Sequence, residues 1–238
     1  MAKKRSLKEY RAKRDFTVSP EPSGTARAAH VSKRPASKLI FCVQKHLASH
    51  LHYDFRLEHN GVMLSWAVPK GPSLNPADKR LAMQVEDHPR DYADFEGVIP
   101  SGYGAGVVML WDYGTWEPPG DINEGLEKGH FKFTLNGTKL KGSWAFARLG
   151  RTFGSKPQWL LIKHKDEWAG TLDILTFAPL SVKSGQDFKG ILAKGYPEEW
   201  KVAPPAKGGE AGKMYATLLA KLRPKKPAKK NLWVSNKA

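Results

Sequence analysis

An unbroken alternation of apolar and polar side chains over residues 51–58 constrains the fold of this chain more than any other feature. A period of two is typical of a half-buried β-strand. One face carries Leu51, Tyr53, Phe55 and Leu57, and the other carries His52, Asp54, Arg56 and Glu58. The pattern therefore places an imidazole, a carboxylate and a guanidinium in one row, each about 7 Å from the next, because a strand rises about 3.3 Å per residue.

That row has chemistry suited to a divalent cation beside a phosphate. His52 and Asp54 offer a neutral nitrogen and an anionic oxygen, and the Arg56 guanidinium grips phosphate oxygens as a planar fork. A solvated strand face with a surface ion pair is the alternative, and for one isolated strand it is the simpler interpretation. The choice between the two depends on the rest of the chain.

Residues 80–88 alternate in the same way, and Pro89 ends the pattern. The alternation predicts a second strand with Leu81, Met83 and Val85 on its apolar face and with Arg80, Gln84, Glu86 and His88 on its polar face. Two strands that each display a histidine, an acid and an arginine are unexpected for solvation alone. If the sheet curls, both polar faces line one concave site.

Short β-type runs recur from residue 39 onward, at 39–45, 51–58, 62–68, 80–87, 106–113, 130–135, 141–149 and 158–164. The Asn-Gly pairs at 60–61 and 136–137 predict tight hairpins. Residues 121–128 are the only helix candidate in this region, with a capping-box spacing at their start. Six tryptophans between 66 and 168 are expected to fill the core. The sequence thus predicts a mainly β fold, a small antiparallel closed or partly open β-barrel with a few short helices and basic flexible tails.

The formal charge of +16 is concentrated at the two ends of the chain. Residues 1–38 carry +8 and residues 201–238 carry +9, whereas residues 39–200 carry −1. We expect a basic N-terminal helix, opened by a capping box at 6–9, and a connector over 1–38, the barrel domain over 39–200, and a disordered Pro/Gly/Lys-rich tail over 201–238. Basic ends of this kind attract a polyanion, usually nucleic acid.

Cys42 is the only cysteine, so the chain has no internal disulfide and suits a reducing compartment. The basic start is not followed by the apolar stretch of a secretory signal. No run approaches the ~20 apolar residues of a membrane span. We therefore expect an intracellular, cytoplasmic and nucleoid-associated protein without a membrane partner.

Six blocks of residues resemble, in order, the 3′-phosphoesterase domain of bacterial ATP-dependent DNA ligase D and its stand-alone relatives. The blocks are QKH at 44–46, LHYDFRLE at 51–58, SWAVPKGP at 65–72, VEDHP at 85–89 with Tyr92, FEGVIP at 95–100 and YGAG at 103–106. The resemblance extends over residues 14–185. It implies a small β-barrel with a manganese-dependent site that trims 3′ ends in non-homologous end joining, removing a terminal ribonucleotide and also a 3′-terminal phosphate.

The resemblance also implies roles for individual residues. The expected manganese ligands are His46, His52 and Asp54, and other divalent transition metals suit the same set of nitrogen and oxygen donors. The expected contacts to the scissile phosphate are Arg56, His88 and Tyr92. The residues expected to orient these groups or to face the substrate are Gln44, Lys70, Arg80 and Glu86, together with Arg14, Asp15 and Glu21 in a segment that folds onto the active site.

Two departures from the family pattern are visible. The glycine loop before Tyr103 is one residue shorter than usual, and we assign Tyr103 no role. No polymerase or ligase module is present, so we expect a stand-alone enzyme or an excised part. The expected partners are 3′ ends of DNA or RNA–DNA primer–templates, with a DNA ligase and end-joining factors as candidate protein partners.

Two other functions remain open. A non-catalytic nucleic-acid-binding barrel would hold phosphate with its charged row, although such a protein has little use for two imidazoles and an acid. A metal-dependent phosphodiesterase of RNA processing would act on internal linkages. His50 is expected on the surface, and the histidines expected to be structural are His30, His59, His130 and His164.

Overall fold

The structure is a computed structural model that describes residues 6–24, 38–154, 156–201 and 203–222. The strands are β1 (Leu39–Leu47), β2 (Leu51–His59), β3 (Val62–Val68), β4 (Lys79–Pro89), β5 (Gly97–Ile99), β6 (Gly106–Glu117), β7 (His130–Gly137), β8 (Lys141–Phe153) and β9 (Lys156–Lys163). The α-helices are α1 (Lys8–Ala12), α2 (Ile122–Lys128), α3 (Ile174–Phe177), α4 (Phe188–Lys194) and α5 (Gly209–Leu222), and 3₁₀ helices span Arg90–Asp94 and Glu198–Lys201.

Eight of these strands close into a barrel in the order β1-β2-β3-β4-β9-β8-β7-β6, and pairing of β1 with β6 completes the circle. All strand pairings are antiparallel, and β5 adds to one edge of β6. The predicted closed antiparallel β-barrel is confirmed. None of the helices in the described part of the chain is long and apolar enough to cross a lipid bilayer.

Aromatic side chains fill the inside of the barrel. The rings of Trp66 and Phe146 stack with centroids 4.2 Å apart, and Phe55 meets Phe146 edge to face at 5.6 Å. Of the six tryptophans between residues 66 and 168, five are buried, while Trp168 is 44% exposed. Each buried aromatic ring removes a large apolar area from water, so this packing is the main stabilising contribution to the barrel.

One predicted hairpin is confirmed and the other is displaced. Asn60 and Gly61 join β2 to β3 with φ angles of 50° and 80°, the left-handed backbone that a two-residue turn of this type requires. Residues 136–137, in contrast, lie inside β7, and the chain turns at 138–140. Glycine is needed at 137 for packing, because a Cβ there would lie 2.6 Å from the Phe41 ring.

Strand β4 contains a β-bulge. His88 lies opposite Met63 of β3, whereas Val85 lies opposite Ser65, so residues 86–87 of β4 face a single residue of β3. Such a bulge changes which residues of a strand share a face. The alternation predicted for residues 80–88 therefore cannot hold along the whole strand.

The face assignment predicted for the first half of β4 is wrong for this reason. Met83 and Val85, expected to be in the core, line the same outer cavity as His88. Ala82 is buried in the barrel core, and Gln84 accepts a hydrogen bond from the core residue Trp159 at 3.0 Å. Only from the bulge onward, at Glu86 and His88, do the polar residues point outward as predicted.

The N-terminal helix α1 is short, covering only Lys8–Ala12. It begins at Lys8, and its N-cap residue is Leu7, whose side chain makes no capping hydrogen bond. The Ser6 hydroxyl accepts from the Lys8 N–H at 3.2 Å, while Glu9 pairs with Lys13 at 2.6 Å. The predicted capping box is therefore wrong, because Glu9 is engaged by a lysine one turn later.

Residues 6–24 fold back along the outside of the barrel. Tyr10 is fully buried, and its hydroxyl donates to the Pro22 carbonyl at 2.6 Å. Its ring lies 4.9 Å from the His88 ring and 6.0 Å from the Tyr92 ring, measured between centroids. This packing fixes the segment next to the end of β4.

The C-terminal region departs from the predicted disordered tail over 201–238. Helix α5 buries Tyr215 completely, and the Tyr215 ring meets the Trp200 ring edge to face at 5.4 Å. Its apolar residues recur at helical spacing and pack on the core cluster, and they are Ala211, Met214, Tyr215, Leu218, Leu219 and Leu222. For residues 209–222 the predicted disorder is wrong, because the prediction averaged composition over 201–238. Residues 223–238 lie outside the described residues, and for them disorder stays a prediction.

Candidate active site

The β1–β2 hairpin brings three potential metal ligands together. His46 and His52 are directly opposite in the pairing, and Asp54 is the next outward residue on β2. Opposite residues of an antiparallel pair have Cβ atoms about 4.5–5.5 Å apart. One potential ligand atom from each of the three residues lies within 4.8 Å of the others.

Backbone carbonyls fix the orientation of both imidazoles. The Nε2–H of His46 donates to the Gly104 carbonyl at 2.9 Å, and the Nδ1–H of His52 donates to the His50 carbonyl at 3.0 Å. The other ring nitrogens then carry lone pairs, and they lie 3.5 Å (His46) and 3.7 Å (His52) from Oδ2 of Asp54. A histidine that ligates a metal commonly donates its second nitrogen in this way. The residues present therefore fit a divalent transition metal.

Charge and burial set the protonation of this cluster. Burial acts to raise the pKa of Asp54, but Arg56 and His52 hold it well below its ordinary value. Burial lowers the pKa of His46. Burial would also lower the pKa of His52, but the Asp54 carboxylate outweighs it and raises that pKa. Asp54 is thus an anion and His46 a neutral ligand at neutral pH.

Arg56 is held rigidly beside the potential metal ligands. It donates to the Gln44 side chain at 2.8 Å and to the Ser65 hydroxyl at 2.8 Å, and its Nη2 lies 3.2 Å from Asp54. Its guanidinium carbon lies 4.8 Å from the centre of the Tyr92 ring. Within the described residues these bonds use three of its five N–H groups, which leaves two for a ligand.

His88 is a neutral imidazole with one nitrogen available as an acceptor. Its Nδ1–H donates to the Glu86 carbonyl at 2.9 Å, and its Nε2 accepts from Arg14 at 3.2 Å. Burial, followed by the positive charges of Arg56 and Arg14, holds the pKa of His88 well below its ordinary value. The histidine therefore faces two guanidinium groups as an uncharged partner.

Arg14 links the N-terminal segment to the site. Its guanidinium contacts Glu21 at 2.9 Å and Glu86 at 3.2 Å in addition to His88. Glu21 also accepts a hydrogen bond from the Tyr92 hydroxyl at 2.9 Å. Burial and then Glu21 raise the pKa of Tyr92 well above its ordinary value, so its hydroxyl stays protonated as a donor.

All of these groups line one cavity of about 610 Å³ on the outside of the barrel. The predicted site residues that the cavity brings together are Arg14, Glu21, His46, His52, Asp54, Arg56, Glu86, His88 and Tyr92. Gln44 lies directly behind them, since its amide donates to the Tyr92 and Phe95 carbonyls at 2.9 and 2.8 Å while its oxygen holds Arg56.

Comparison with known proteins agrees with this geometry. Residues 44–148 match the family model described as the DNA ligase D 3′-phosphoesterase domain. A protein of Pseudomonas aeruginosa, named multifunctional non-homologous end joining protein LigD, is 50% identical over 216 residues, which are 89% of this chain and 25% of that relative. The chain belongs to the DNA ligase D 3′-phosphoesterase domain family.

Two further relatives support the assignment. The multifunctional non-homologous end joining DNA repair protein LigD of Mycobacterium tuberculosis is 41% identical over 162 residues, or 68% of this chain and 20% of the relative. The Mycolicibacterium smegmatis LigD is 35% identical over 201 residues, or 82% of this chain and 24% of the relative. The chain therefore spans about a quarter or less of the length of the curated relatives it matches.

Besides Gln44, three further predicted site residues do not line the cavity. Asp15 is exposed, and its carboxylate accepts from the backbone and hydroxyl of Thr17. Arg80 pairs with Asp78 at 2.9 Å and precedes the bulge, so it shares the parity of residues that face the barrel interior. Lys70 is exposed in the turn after β3, one residue beyond the cavity wall.

The sequence interpretation did not predict several other residues of the candidate site. Ser65 holds Arg56 from the paired strand β3, and its signal was a lone hydroxyl in an otherwise apolar strand. Lys13 contacts Glu86 at 3.0 Å, and Tyr103 and Lys156 line the cavity. For these last three the sequence held no usable signal, because their positions depend on long-range packing.

Proposed function

We propose that this chain is a metal-dependent 3′-end-healing phosphoesterase of non-homologous end joining. In this proposal it acts with Mn²⁺ on the 3′ ends of DNA and RNA–DNA primers, and it removes a terminal ribonucleoside or a 3′-phosphate. One observation supports the proposal most strongly. A His-His-Asp set of potential metal ligands lies in one cavity with the guanidinium of Arg56, which is held by hydrogen bonds, and with the neutral imidazole of His88.

His46, His52 and Asp54 would hold the metal. Two imidazole nitrogens and one carboxylate oxygen suit Mn²⁺ or a similar transition metal better than Mg²⁺, which prefers an all-oxygen set of ligands. When bound, such a cation supplies Lewis acidity toward a phosphate oxygen or a water molecule.

The arginines supply the positive charge for the phosphate. Arg56 presents its two remaining N–H groups from a fixed position, so it stabilises the negative charge that develops on phosphate oxygens without reorganising. Arg14 is held on the far side of His88 and adds a second guanidinium. Both side chains are almost fully buried, which strengthens their interaction with an anion.

His88 and Tyr92 complete the proposed mechanism. A bound phosphate adds negative charge beside His88, which favours protonation of its Nε2 and lets it donate to the phosphate or to the leaving oxygen. The Tyr92 ring supports the Arg56 guanidinium, and its hydroxyl fixes Glu21, which in turn orients Arg14. Tyr92 thus positions both arginines.

The substrate assignment follows from the names of the relatives and from charge. The relatives are named for non-homologous end joining, and we extend that pathway to this chain. Its formal charge of +16 suits a polyanionic partner such as a primer–template. A DNA ligase and end-joining factors are the proposed protein partners.

A primer–template assay tests the proposal. Matched primers end in one ribonucleotide, in a 3′-phosphate, or in an all-deoxy 3′-OH, and each is incubated with Mn²⁺, with Mg²⁺ or with a chelator. We expect processing of the first two ends, much faster with Mn²⁺ than with Mg²⁺, and none with the chelator. Equal digestion of the all-deoxy primer, or full turnover in the chelator, contradicts the proposal.

A pair of variants locates the activity. Asp54→Asn should lower turnover about a hundredfold or more, since it removes the anionic ligand. Asp78→Asn, in a half-buried ion pair with Arg80 outside the cavity, is the matched control and should leave turnover unchanged. Binding of 3′ ends without turnover under any metal condition would favour a non-catalytic binding barrel, and cleavage of internal RNA linkages would favour an RNA-processing enzyme.

A further inference from the structure

Tyr103 stands out among the exposed apolar side chains of the protein. Six large ones are found in the described residues, and they are Val18, Tyr103, Trp168, Leu172, Phe177 and Leu180. Of these six, only Tyr103 lines the catalytic cavity, and it is 43% exposed there. An aromatic ring exposed at the mouth of such a cavity offers a face on which a ligand can pack.

The backbone holds Tyr103 in place. The flanking residues Gly102 and Gly104 both have a φ angle of 79°, a left-handed conformation that favours glycine, and the Ala105 N–H donates to the Gly102 carbonyl at 3.2 Å. The Gly104 carbonyl accepts from His46 at 2.9 Å. The loop that carries the ring is therefore tied to one of the proposed metal ligands.

Two cations place the ring next to the phosphate-binding groups. The Lys13 ammonium lies 5.2 Å from the ring centre, and the Arg14 guanidinium carbon lies 5.4 Å from it. Arg14 also contacts His88 at 3.2 Å. One guanidinium thus contacts both the aromatic ring and His88 of the proposed phosphate site, which puts the ring within reach of the base of a nucleotide whose phosphate is held there.

We propose that Tyr103 is the stacking platform for the nucleobase of the nucleotide whose 3′ oxygen carries the bound phosphate. This inference rests on the proposed function for the position of that phosphate. Every base has a π face, so stacking on one aromatic ring with nearby cations recognises a base without selecting its identity. The subsite takes any of the four bases and adds nothing to the binding of an end that lacks one.

The test compares ends with and without a terminal base. Primer–templates carry a 3′-phosphate on either a normal terminal nucleotide or an abasic one. Affinity is measured by fluorescence anisotropy with the metal chelated, and kcat and KM are measured separately with Mn²⁺. Tyr103→Ala should weaken binding of the normal end about tenfold, the loss expected for one stacked base, and should leave binding of the abasic end unchanged.

Two further variants separate stacking from other roles. Tyr103→Phe keeps the ring and should restore binding of the normal end. Trp168→Ala removes a ring of similar exposure (44%) outside the cavity and should change neither end. A loss with Tyr103→Ala that is equal for normal and abasic ends would show a structural role for the loop and overturn the proposal.

The failure of this inference is distinguishable from failure of the proposed function. Normal turnover by the wild type, with Tyr103→Ala equal to it on both ends, overturns stacking and leaves the phosphoesterase intact. Base-dependent binding without any processing of 3′ ends supports stacking and overturns the proposed activity.

Discussion

The two ends of the described chain both pack on the outside of the barrel beside the cavity, but with different chemistry. Residues 6–24 reach the site through charge, because Arg14 contacts Glu21, Glu86 and His88. Helix α5 makes no such contact and instead buries the Tyr215 ring.

This difference indicates that residues 6–24 contribute to the chemistry of the site, whereas helix α5 contributes to its stability. A buried ion pair gains little net stability, since the cost of removing charges from water offsets their attraction. Apolar burial has no such cost and stabilises in proportion to its area. The N-terminal segment is therefore suited to supply reacting groups. The C-terminal helix supports them indirectly, because the Tyr215 hydroxyl donates to the Leu47 carbonyl in the β1–β2 hairpin. Trp200, on which Tyr215 packs, donates to the Pro100 carbonyl at 2.7 Å, next to the glycine loop.

Removal of the Arg14 side chain should give the largest effect. Arg14→Ala should lower turnover on a 3′-phosphate end about a hundredfold, because one preorganised donor to the phosphate is lost. Arg11→Ala is the matched control, since Arg11 is exposed and donates to the Ser23 and Gly24 carbonyls at 3.2 and 2.8 Å. Steady-state kinetics of both variants with Mn²⁺ measure the difference. Equal rates for the two would place Arg14 outside the chemistry.

Truncation at the C-terminus should lower stability, in contrast to the loss of turnover expected for Arg14→Ala. A chain ending at Trp200 loses α5 and should lose about 2 kcal/mol of unfolding free energy, the contribution of roughly one buried aromatic side chain. A chain ending at Leu222 keeps α5 and loses only 223–238, which contain six basic and no acidic residues. It should keep its stability and bind DNA with a flatter salt dependence. Denaturant melts and salt titrations of both chains decide this, and equal stability would contradict a supporting role for α5.

The sequence predicted the polar face of β2 correctly but not that of β4, and the reason is physical. The alternation over 51–58 is unbroken in the structure, so the row of His52, Asp54 and Arg56 was visible before any fold was known. The same reasoning failed in β4, because the bulge at residues 86–87 depends on how β3 pairs with it. A two-residue bulge without glycine leaves no local signal.

The contributions of the chain ends were harder to foresee. Helix α5 was hidden by an average over a region rich in Pro, Gly and Lys, although its apolar residues recur at helical spacing. The position of Tyr103 depends on the bond between His46 and Gly104, which are far apart in sequence. The family resemblance supplied the candidate residues, whereas only the fold could show which of them meet.

Removal of the Tyr215 hydroxyl tests how much a single hydrogen bond from α5 contributes to stability. Tyr215→Phe removes the bond to the Leu47 carbonyl but keeps the buried ring. It should cost about 1 kcal/mol of unfolding free energy and change turnover less than twofold. Tyr196→Phe serves as the control, since Tyr196 is only partly buried at the edge of the same cluster. A large loss of turnover with unchanged stability would instead give Tyr215 a direct part in the site.

Acid should detach residues 6–24 from the barrel before it affects α5. This is the smallest of the four predicted effects. Burial acts to raise the pKa of Glu86, but hydrogen bonds, including that from Lys13, and the charges of Lys13 and Arg14 lower it below its ordinary value. A lowered pKa means that Glu86 contributes stability above its unfolded pKa of about 4.3 and that this contribution is lost as pH falls through the folded value.

Limited proteolysis across this pH range measures the release. Protection of residues 6–24 should decline below about pH 4.3 in the wild type. In Glu86→Gln, protection should be weaker at neutral pH and should change less with acid, because the titrating group is gone. Cleavage within α5 provides the internal reference, since its main contacts are apolar and should not respond to acid in this window. Loss of protection at both ends at the same pH in both proteins would indicate global unfolding and remove the contrast between a charged arm and an apolar support.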